Sequence, residues 1–445
     1  MFYLNKNVEL NPALLGKMLQ RFHTDVEPRL RKYKNYYDGI QAILNKAYAD
    51  PNKPCNKTVI NYCRNIVNSY AGYMATPGHI SYRSDDDIED IMDILRYNDY
   101  QAEDASFLVD ALIYGVANEL MYVDNDGKTR FQLINPLQCF GVYDDSLSAD
   151  LTHFVRFYQI SDWDDSDNYY VDVYNDVMMK RYQMTGLNGQ LVFVEELPHY
   201  FRQCPANIFY MPDEQSIFDC VMGLQDSVNE LLSAEIDDYS AFCDAYLVLE
   251  GAELDEEDAA AMRQNRIIQL PAEAKAYWLT KAAQDGQVEN VLARIHDSIY
   301  RIAQCPDFSS ESFVGGVSSG IAIQYRLTGM ENRAGIIEGA MKKALQRRVE
   351  IICGLVALSL GEAVFRDIQI DFKRNIPADE ASTINLVNAL KGTVSDATLL
   401  SQLDFITDVN AELEAVKAQK EENMAMYNFS NTPKTLSEED LEDEE

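Results

Sequence analysis

From Gly320 onward the sequence keeps helical character for about forty residues, to about 360. At 1.5 Å per residue that is a rod of about 60 Å, longer than most compact domains need. Gly329, Gly335, Gly339 and Gly354 lie inside it, each costing about 1 kcal/mol relative to alanine. The rod either kinks at these positions or uses them to admit a close neighbour.

The residues before the rod narrow the choice. Met211-Pro212-Asp213-Glu214 opens a helix with proline near its start, where the missing N–H costs little. Ile217, Val221, Leu224, Val228, Leu231, Leu232 and Ile236 keep one apolar face as far as about Tyr246. A second helix runs from Val288 through Leu292, Ile295, Ile299 and Ile302 and stops before Cys305-Pro306. Between them lies a compact insert with Leu247-Val248-Leu249, an acidic stretch from Glu253 to Asp258, Ile267 to Leu270 and Tyr277-Trp278-Leu279, closed by Asp285-Gly286. Two antiparallel helices with an insert at the tip have apolar faces wider than one partner covers. A head-to-tail interface whose rotation closes supplies further partners, and its product is a ring.

The rest of the chain is organised around these parts. Residues 11 to about 75 read as helical, closed by Thr76-Pro77-Gly78, with a short strand from His79 to Arg83. Asp85-Asp86-Asp87 suits the start of a helix over Ile88 to Tyr97, and another helix covers Ala102 to Tyr114. From Glu119 to about Tyr210 the pattern is β-rich: Met121-Tyr122-Val123 turns at Asp124-Asn125-Asp126-Gly127 into Arg130 to Ile134, and further strands are expected at 152–160, 169–174, 178–184 and 191–195. After the rod come a strand at Asp367 to Phe372 and a last helical region from Pro377 to about Asn423, with Ser395 to Leu403 as a separate capped helix.

Charge and cysteine usage exclude whole classes of function. With 72 acidic and 38 basic residues the net charge is -34, so non-specific gripping of nucleic acid, which needs lysine and arginine on phosphates, is not expected. The charge is uneven: Met1 to Val67 carries eleven basic and five acidic residues, Glu421 to Glu445 nine acidic and one basic. Arg29, Arg31, Lys32 and Lys34 read as a solvated helical face, and the acidic end as a solvated, disordered tail. The eight cysteines are spread singly, which fits a reducing compartment. No signal peptide is visible, and the longest uncharged run near the end, Ile351 to Gly361, is far short of a bilayer span.

No catalytic constellation stands up. Gly316-Val317-Ser318-Ser319-Gly320 fits the G-x-S-x-G pattern of serine hydrolases, but it follows a Ser/Gly loop rather than a strand. All five histidines, His23, His79, His153, His199 and His296, precede it, whereas the hydrolase order places the histidine after the serine. No G-x-x-x-x-G-K-[ST] phosphate loop is present, so this is not an ATP-driven motor. His199 and Cys204 make only two of the four ligands a structural zinc takes. No enzyme activity, metal or cofactor is expected.

Four segments together resemble the portal proteins of tailed bacteriophages, especially the siphophage type. Asn61 to Tyr82, NYCRNIVNSYAGYMATPGHISY, is similar to the family's N-terminal helix and following strand, and Asn135 to Tyr158, with NPLQCFGVYDDS and then VRFY, to a wing segment. Ala293 to Leu327, ARIHDSIYRIAQCPDFSSESFVGGVSSGIAIQYRL, is the strongest match: helix, Pro-Asp-Phe-Ser loop and long helix stand in family order. Ile370 to Glu414, with FKRNIP and VSDATLLSQLDFITDVNAELE, resembles the crown.

The resemblance implies a mostly helical α+β portal fold closing into a ring, usually of about twelve subunits, around a channel for double-stranded DNA. On this chain the wing would comprise 1–118, helical, and 119–212, β-rich. The stem would be 213–246 and 287–305, the clip 247–286, the tunnel loop 306–319, the long kinked helix 320–360, the returning wing strand 361–377, the crown 378–425 and the acidic tail 426–445. Implied partners are the terminase large subunit, head-completion or adaptor proteins, and the major capsid and scaffolding proteins. The location would be a capsid vertex of the virion, after assembly in the host cytoplasm, with no membrane involved.

Three groups of residues are singled out on that reading. Asp307, Ser309, Ser310, Ser312, Gly315, Gly316, Ser318 and Ser319 would face DNA from the tunnel loop, where glycine freedom and serine hydroxyls let a chain approach phosphates. The same composition suits an ordinary flexible connector, and the flanking matches favour the tunnel loop. Arg326, Arg333, Lys342, Lys343, Arg347 and Arg348 would meet the channel or a neighbouring subunit. Tyr277, Trp278, Glu256 and Glu257 would take partners at the clip, although Tyr277 and Trp278 also suit a core. The alternative class is an acidic helical scaffolding or adaptor protein without a channel.

Overall fold

The computed structural model describes residues 2–50, 53–159, 168–186, 189–242, 246–250, 274–279, 285–308, 320–356, 364–375 and 387–400, with scattered positions between 403 and 420. Glu256, Glu257, residues 309–319 and the acidic tail lie outside them. The chain divides into two compact units, residues 1–316 with 324–375, and 317–323 with 376–445.

In the first unit, strand β1 (Phe2–Leu4) is followed by helix α1 (Pro12–Arg21), which Asn11 caps by accepting the Leu14 N–H. A π-helical turn, Phe22–Val26, joins α1 to α2 (Glu27–Asp38). The expected continuous helical region then fails. Residues 46–61 form neither helix nor strand, with bends at 49, 50 and 53 and with 51 and 52 undescribed, before α3 (Tyr62–Met74) begins. Pro51 and Pro54 lack amide donors and disfavour helix in the residues before them, and the amides of this strap are claimed by another helix. Strand β2 (Ile80–Arg83), α4 (Glu89–Tyr97) and α5 (Tyr100–Tyr114) follow.

Three sheets make the β-rich part. β3 (Val116–Val123) and β4 (Thr129–Ile134) form the hairpin over Asp124–Gly127, with β10 (Ala206–Tyr210) antiparallel on the far side of β3. The larger sheet contains β5 (Cys139–Asp144), β6 (Leu151–Gln159), β7 (Asn168–Tyr174), β8 (Met178–Thr185) and β9 (Val192–Pro198), with β1 added parallel to β5. Phe22 packs on Phe140 and Phe157 at ring-centroid distances of 5.5 and 5.3 Å, joining the first helices to this sheet.

The helix expected from Met211-Pro212 starts later than its proline suggests. α6 spans Met222–Phe242, because the amides ahead of it are bonded elsewhere: Met211 N–H goes to Gly115 O and Ile217 N–H to Leu112 O, both at the end of α5. Gly115 has φ +78, and a Cβ there would lie 2.8 Å from the backbone of Glu214 and Gln215, so only glycine permits the approach. Past α6, β11 (Tyr246–Glu250) pairs antiparallel with β12 (Lys275–Leu279), Leu247 opposite Trp278 and Val248 opposite Tyr277. α7 (Asp285–Ile302) is the second helix of the pair and α8 (Gly320–Val356) the long rod, 37 residues. β13 (Gln369–Phe372) returns to pair antiparallel with β2.

In the second unit, the described residues include α9 (Asp396–Leu400), started by Ser395 Oγ, which accepts the Thr398 N–H at 3.3 Å. Among the described residues no helix is long and apolar enough to cross a membrane.

Candidate functional site around the root of the 306–319 loop

The helices α6, α7 and α8 are tied together by α3 and the strap before it. Along α6, Gln225, Asn229, Ser233 and Asp237 recur every fourth residue and are all buried. Each accepts one amide of the strap: Tyr62 N–H to Gln225 Oε1 at 2.9 Å, Ile60 N–H to Asn229 Oδ1 at 3.0 Å, Thr58 N–H to Ser233 Oγ at 2.9 Å and Asn56 N–H to Asp237 Oδ1 at 2.6 Å. The match is geometric, since four helical residues advance about 6.0 Å and two extended residues about 6.6 Å. Side chains of a helix thus stand in for a neighbouring strand. The next rung would pair Pro54, which has no N–H, with Ala241, which has no side-chain acceptor.

Asp237 ends the ladder and takes three further donors, Asn56 Nδ2 at 2.8 Å, Lys46 Nζ at 3.0 Å and the Tyr48 hydroxyl at 3.3 Å. Burial pushes this carboxyl up, but the Asn56 amides and the Lys46 ammonium outweigh it and bring it down to about 2.

α3 then meets every other moving part. Near its start, Tyr62 lies edge-on to His296 and Tyr300 of α7, and Asn65 Nδ2 donates to the Tyr300 hydroxyl at 2.8 Å. Near its end, the Tyr73 hydroxyl donates to Glu331 of α8 at 2.6 Å. Tyr73 O accepts the Asn375 N–H at 3.1 Å where the first unit ends. Arg374 beside it bonds both Glu331, at 2.8 and 3.0 Å, and Glu338, at 2.6 Å.

Between these contacts the Tyr70 hydroxyl reaches the last carbonyls of α7, Ala303 O at 3.0 Å and Gln304 O at 3.2 Å. α7 closes there with two reversed bonds, Cys305 N–H to Tyr300 O at 3.0 Å and Gln304 N–H to Arg301 O at 3.2 Å. This is the Schellman arrangement, whose left-handed residue is normally glycine; here it is Gln304, at φ +53. Burial keeps the Tyr70 hydroxyl protonated far above the ordinary range. Asp307, at the start of the loop, places a carboxylate oxygen 3.6 Å from His296 Nε2. Burial and the Asp307 charge push the Tyr300 hydroxyl up to about 12.

The basic residues of α8 do not form one surface. Arg333 pairs with Asp213 at 2.7 Å, Lys342 with Glu338 at 2.8 Å and Arg347 with Glu350 at 2.7 Å, while Arg326 and Lys343 are exposed. Arg348 is a correction. It is 0% exposed, so it reaches neither a channel nor a neighbour. It donates to Glu119 Oε2 through Nε at 2.9 Å, with Nη2 ion-paired to Glu119 Oε1 at 2.8 Å, donates to Asp104 and to the Tyr82 hydroxyl, and lies over the Phe131 ring at 4.6 Å. Two buried carboxylates around one guanidinium tie α8 to α5 and β3. Burial raises the Asp104 carboxyl in spite of Arg348.

Of the remaining residues expected at the site, the backbones of Tyr277 and Trp278 are on β12. Ser309, Ser310, Ser312, Gly315, Gly316, Ser318, Ser319, Glu256 and Glu257 lie outside the described residues. Reading α6 for its apolar face alone missed the ladder; the signal was the run of hydrogen-bonding side chains at i, i+4, i+8 and i+12. Tyr70 and Gln304 left no local signal, because their contact joins positions 234 apart in sequence.

The helix pair α6 and α7 with its strand insert, and the long helix α8 after them, all fall inside residues 19–426, which a family profile described as "Phage portal protein, SPP1 Gp6-like" matches. The chain belongs to that family. It is similar to the portal protein of Bacillus phage SPP1, 21% identical over 442 residues that cover 94% of this chain and 84% of that protein.

Proposed function

We propose that copies of this chain close into a ring of about twelve subunits at one vertex of the capsid, and that double-stranded DNA passes through its centre during packaging and ejection. The observation that carries the reading is the family match over 19–426, which takes in the stem helices α6 and α7, the loop 306–319 and α8 in one collinear order. The stem is assigned to 213–246 and 287–305, the clip to 247–286, the tunnel loop to 306–319 and the crown to 378–425.

The net charge of -34 supports a conduit rather than a clamp. DNA carries about one negative charge per 1.7 Å of axis, so an acidic bore repels it weakly and lets it slide. Asp307 and the serines and glycines of 309–319 are the DNA-facing candidates. Arg326, Arg333, Lys342, Lys343 and Arg347 are the candidates for local contact with DNA or a neighbouring subunit. The terminase large subunit and the head-completion proteins would dock at the clip through Tyr277, Trp278, Glu256 and Glu257, and capsid and scaffolding proteins at the wing. Assembly would take place in the host cytoplasm, before incorporation at the vertex.

Electron microscopy of the purified protein with mass measurement tests this directly. The expected result is a closed ring with a central hole wide enough for a duplex. A compact monomer at every concentration, or an assembly with no hole, overturns it; the latter is what an adaptor protein would give.

A further inference from the structure

We infer that Tyr70 is a positioning residue for the loop 306–319: its hydroxyl holds the end of α7 in the left-handed cap that sets the direction in which the chain enters the loop. The inference rests on the tunnel-loop reading for its function and on the cap geometry for its mechanism.

Three observations carry it. Gln304 occupies a left-handed conformation that costs a non-glycine residue free energy, so something outside the helix has to hold it there. The Tyr70 hydroxyl is buried and bonds both carbonyls that flank the reversal, Ala303 O and Gln304 O. A hydroxyl has one proton, so the two carbonyls share it or take it in turn. Finally, the cap lies against the long helix where that helix has no side chain: a Cβ on Gly329 would lie 4.0 Å from Gln304 Cβ. The cap, α3 and α8 meet at this point.

The competing conformation is defined by the sequence. With Gln304 right-handed, α7 would gain one residue and stop, because Cys305 precedes Pro306 and is disfavoured in a helix. The loop would then leave the stem in a different direction. Tyr70 selects between the two, since one of its bonds is made to the Gln304 carbonyl, whose position the left-handed residue itself sets.

The test compares Tyr70→Phe, Gln304→Gly and the double variant with the wild type, in assembled protein by hydrogen exchange of peptides covering 300–308 and in phage by the yield of DNA-filled particles. Tyr70→Phe is expected to speed exchange of the Gln304 and Cys305 amides about tenfold and to lower the yield, in line with the left-handed penalty of a non-glycine residue. Glycine takes that conformation without penalty, so Gln304→Gly in the Tyr70→Phe background is expected to restore both readouts to within about twofold of wild type. Unchanged exchange in Tyr70→Phe, a double variant as fast as the single one, or altered exchange with normal yield each overturns the inference. Where Tyr70→Phe does not assemble, Gln304→Gly alone has to slow exchange below wild type, and exchange that stays equal or quickens overturns the cap mechanism. Failure of the wild type itself to form rings or fill particles would instead overturn the portal reading, while the exchange data still judge the cap.

Discussion

The Asn56 amide donates to Asp237 Oδ1 at 2.6 Å across 181 residues of sequence, and with it the strap before α3 is fixed to the far end of α6. Four such rungs hold the strap, and each is a buried side chain meeting a backbone donor. The strap before α3 and the helix α6 are therefore joined by polar bonds in one register rather than by an adaptable apolar seam. A shift of α6 by any distance other than a whole rung breaks all four at once.

Removing one rung leaves a strap amide with no partner in a site that excludes water. Asn229→Ala is expected to destabilise the subunit by about 1–3 kcal/mol, because Ile60 N–H and the Gln41 side chain both lose their partner. Chemical unfolding of the variant checks this. Loss of less than about 0.5 kcal/mol, the range of an exposed surface change, would show that the ladder is not a stabilising element.

The same ladder gives a pH dependence with a definite sign. Asp237 has its ordinary value of 3.8 lowered to about 2 in the fold. Its contribution is present at neutral pH and is lost as pH falls from about 4 through 2, where the unfolded chain binds the proton first. The size is about 2 kcal/mol. Asp237→Asn is expected to remove that slope between pH 4 and 2 while leaving the Asn56 N–H with an acceptor; a wild-type stability curve equally steep in the variant would assign the slope to other carboxylates.

Much of this architecture was legible in the sequence where the chain is locally periodic. The hairpin at Asp124–Gly127, the strands 129–134, 151–159, 168–174 and 178–185 and the long helix after Gly320 each declare themselves through turn residues or helical spacing, whereas β5 does not. The strap did not, because its extended form is imposed by acceptors on α6 far away in sequence. β1, only three residues long, is held by its pairing with β5, which no local pattern announces. Arg348 misled for a related reason: one more cation on a basic helix reads as a surface charge until Asp104 and Glu119, contributed by α5 and β3, close around it.

Arg348→Met tests that cluster. The substitution fits the volume but leaves two carboxylates buried without a cation, so a loss of about 3–5 kcal/mol is expected. Arg348→Lys is expected to recover little, since an ammonium cannot meet Glu119 with two nitrogens and Asp104 with a third. Adding Glu119→Gln and Asp104→Asn to Arg348→Met is expected to return part of the stability. No recovery in that triple variant would mean that the charge imbalance is not the cause of the loss.

The glycines of the long helix give the last contrast. At Gly354 a Cβ would stand 3.1 Å from the Phe201 carbonyl oxygen, so Gly354→Ala has to displace the backbone between β9 and β10. At Gly335 and Gly339 nothing among the described residues, the helix's own backbone aside, lies within 4 Å of the added carbon. Alanine there is expected to stabilise the isolated subunit by about 1 kcal/mol through helix propensity alone, whereas Gly354→Ala is expected to destabilise it by about 1–3 kcal/mol through overpacking. Thermal unfolding of the three single variants in the unassembled state decides it. Equal effects at the three positions would mean that backbone preference, and not the contact with Phe201, governs where this helix tolerates a side chain.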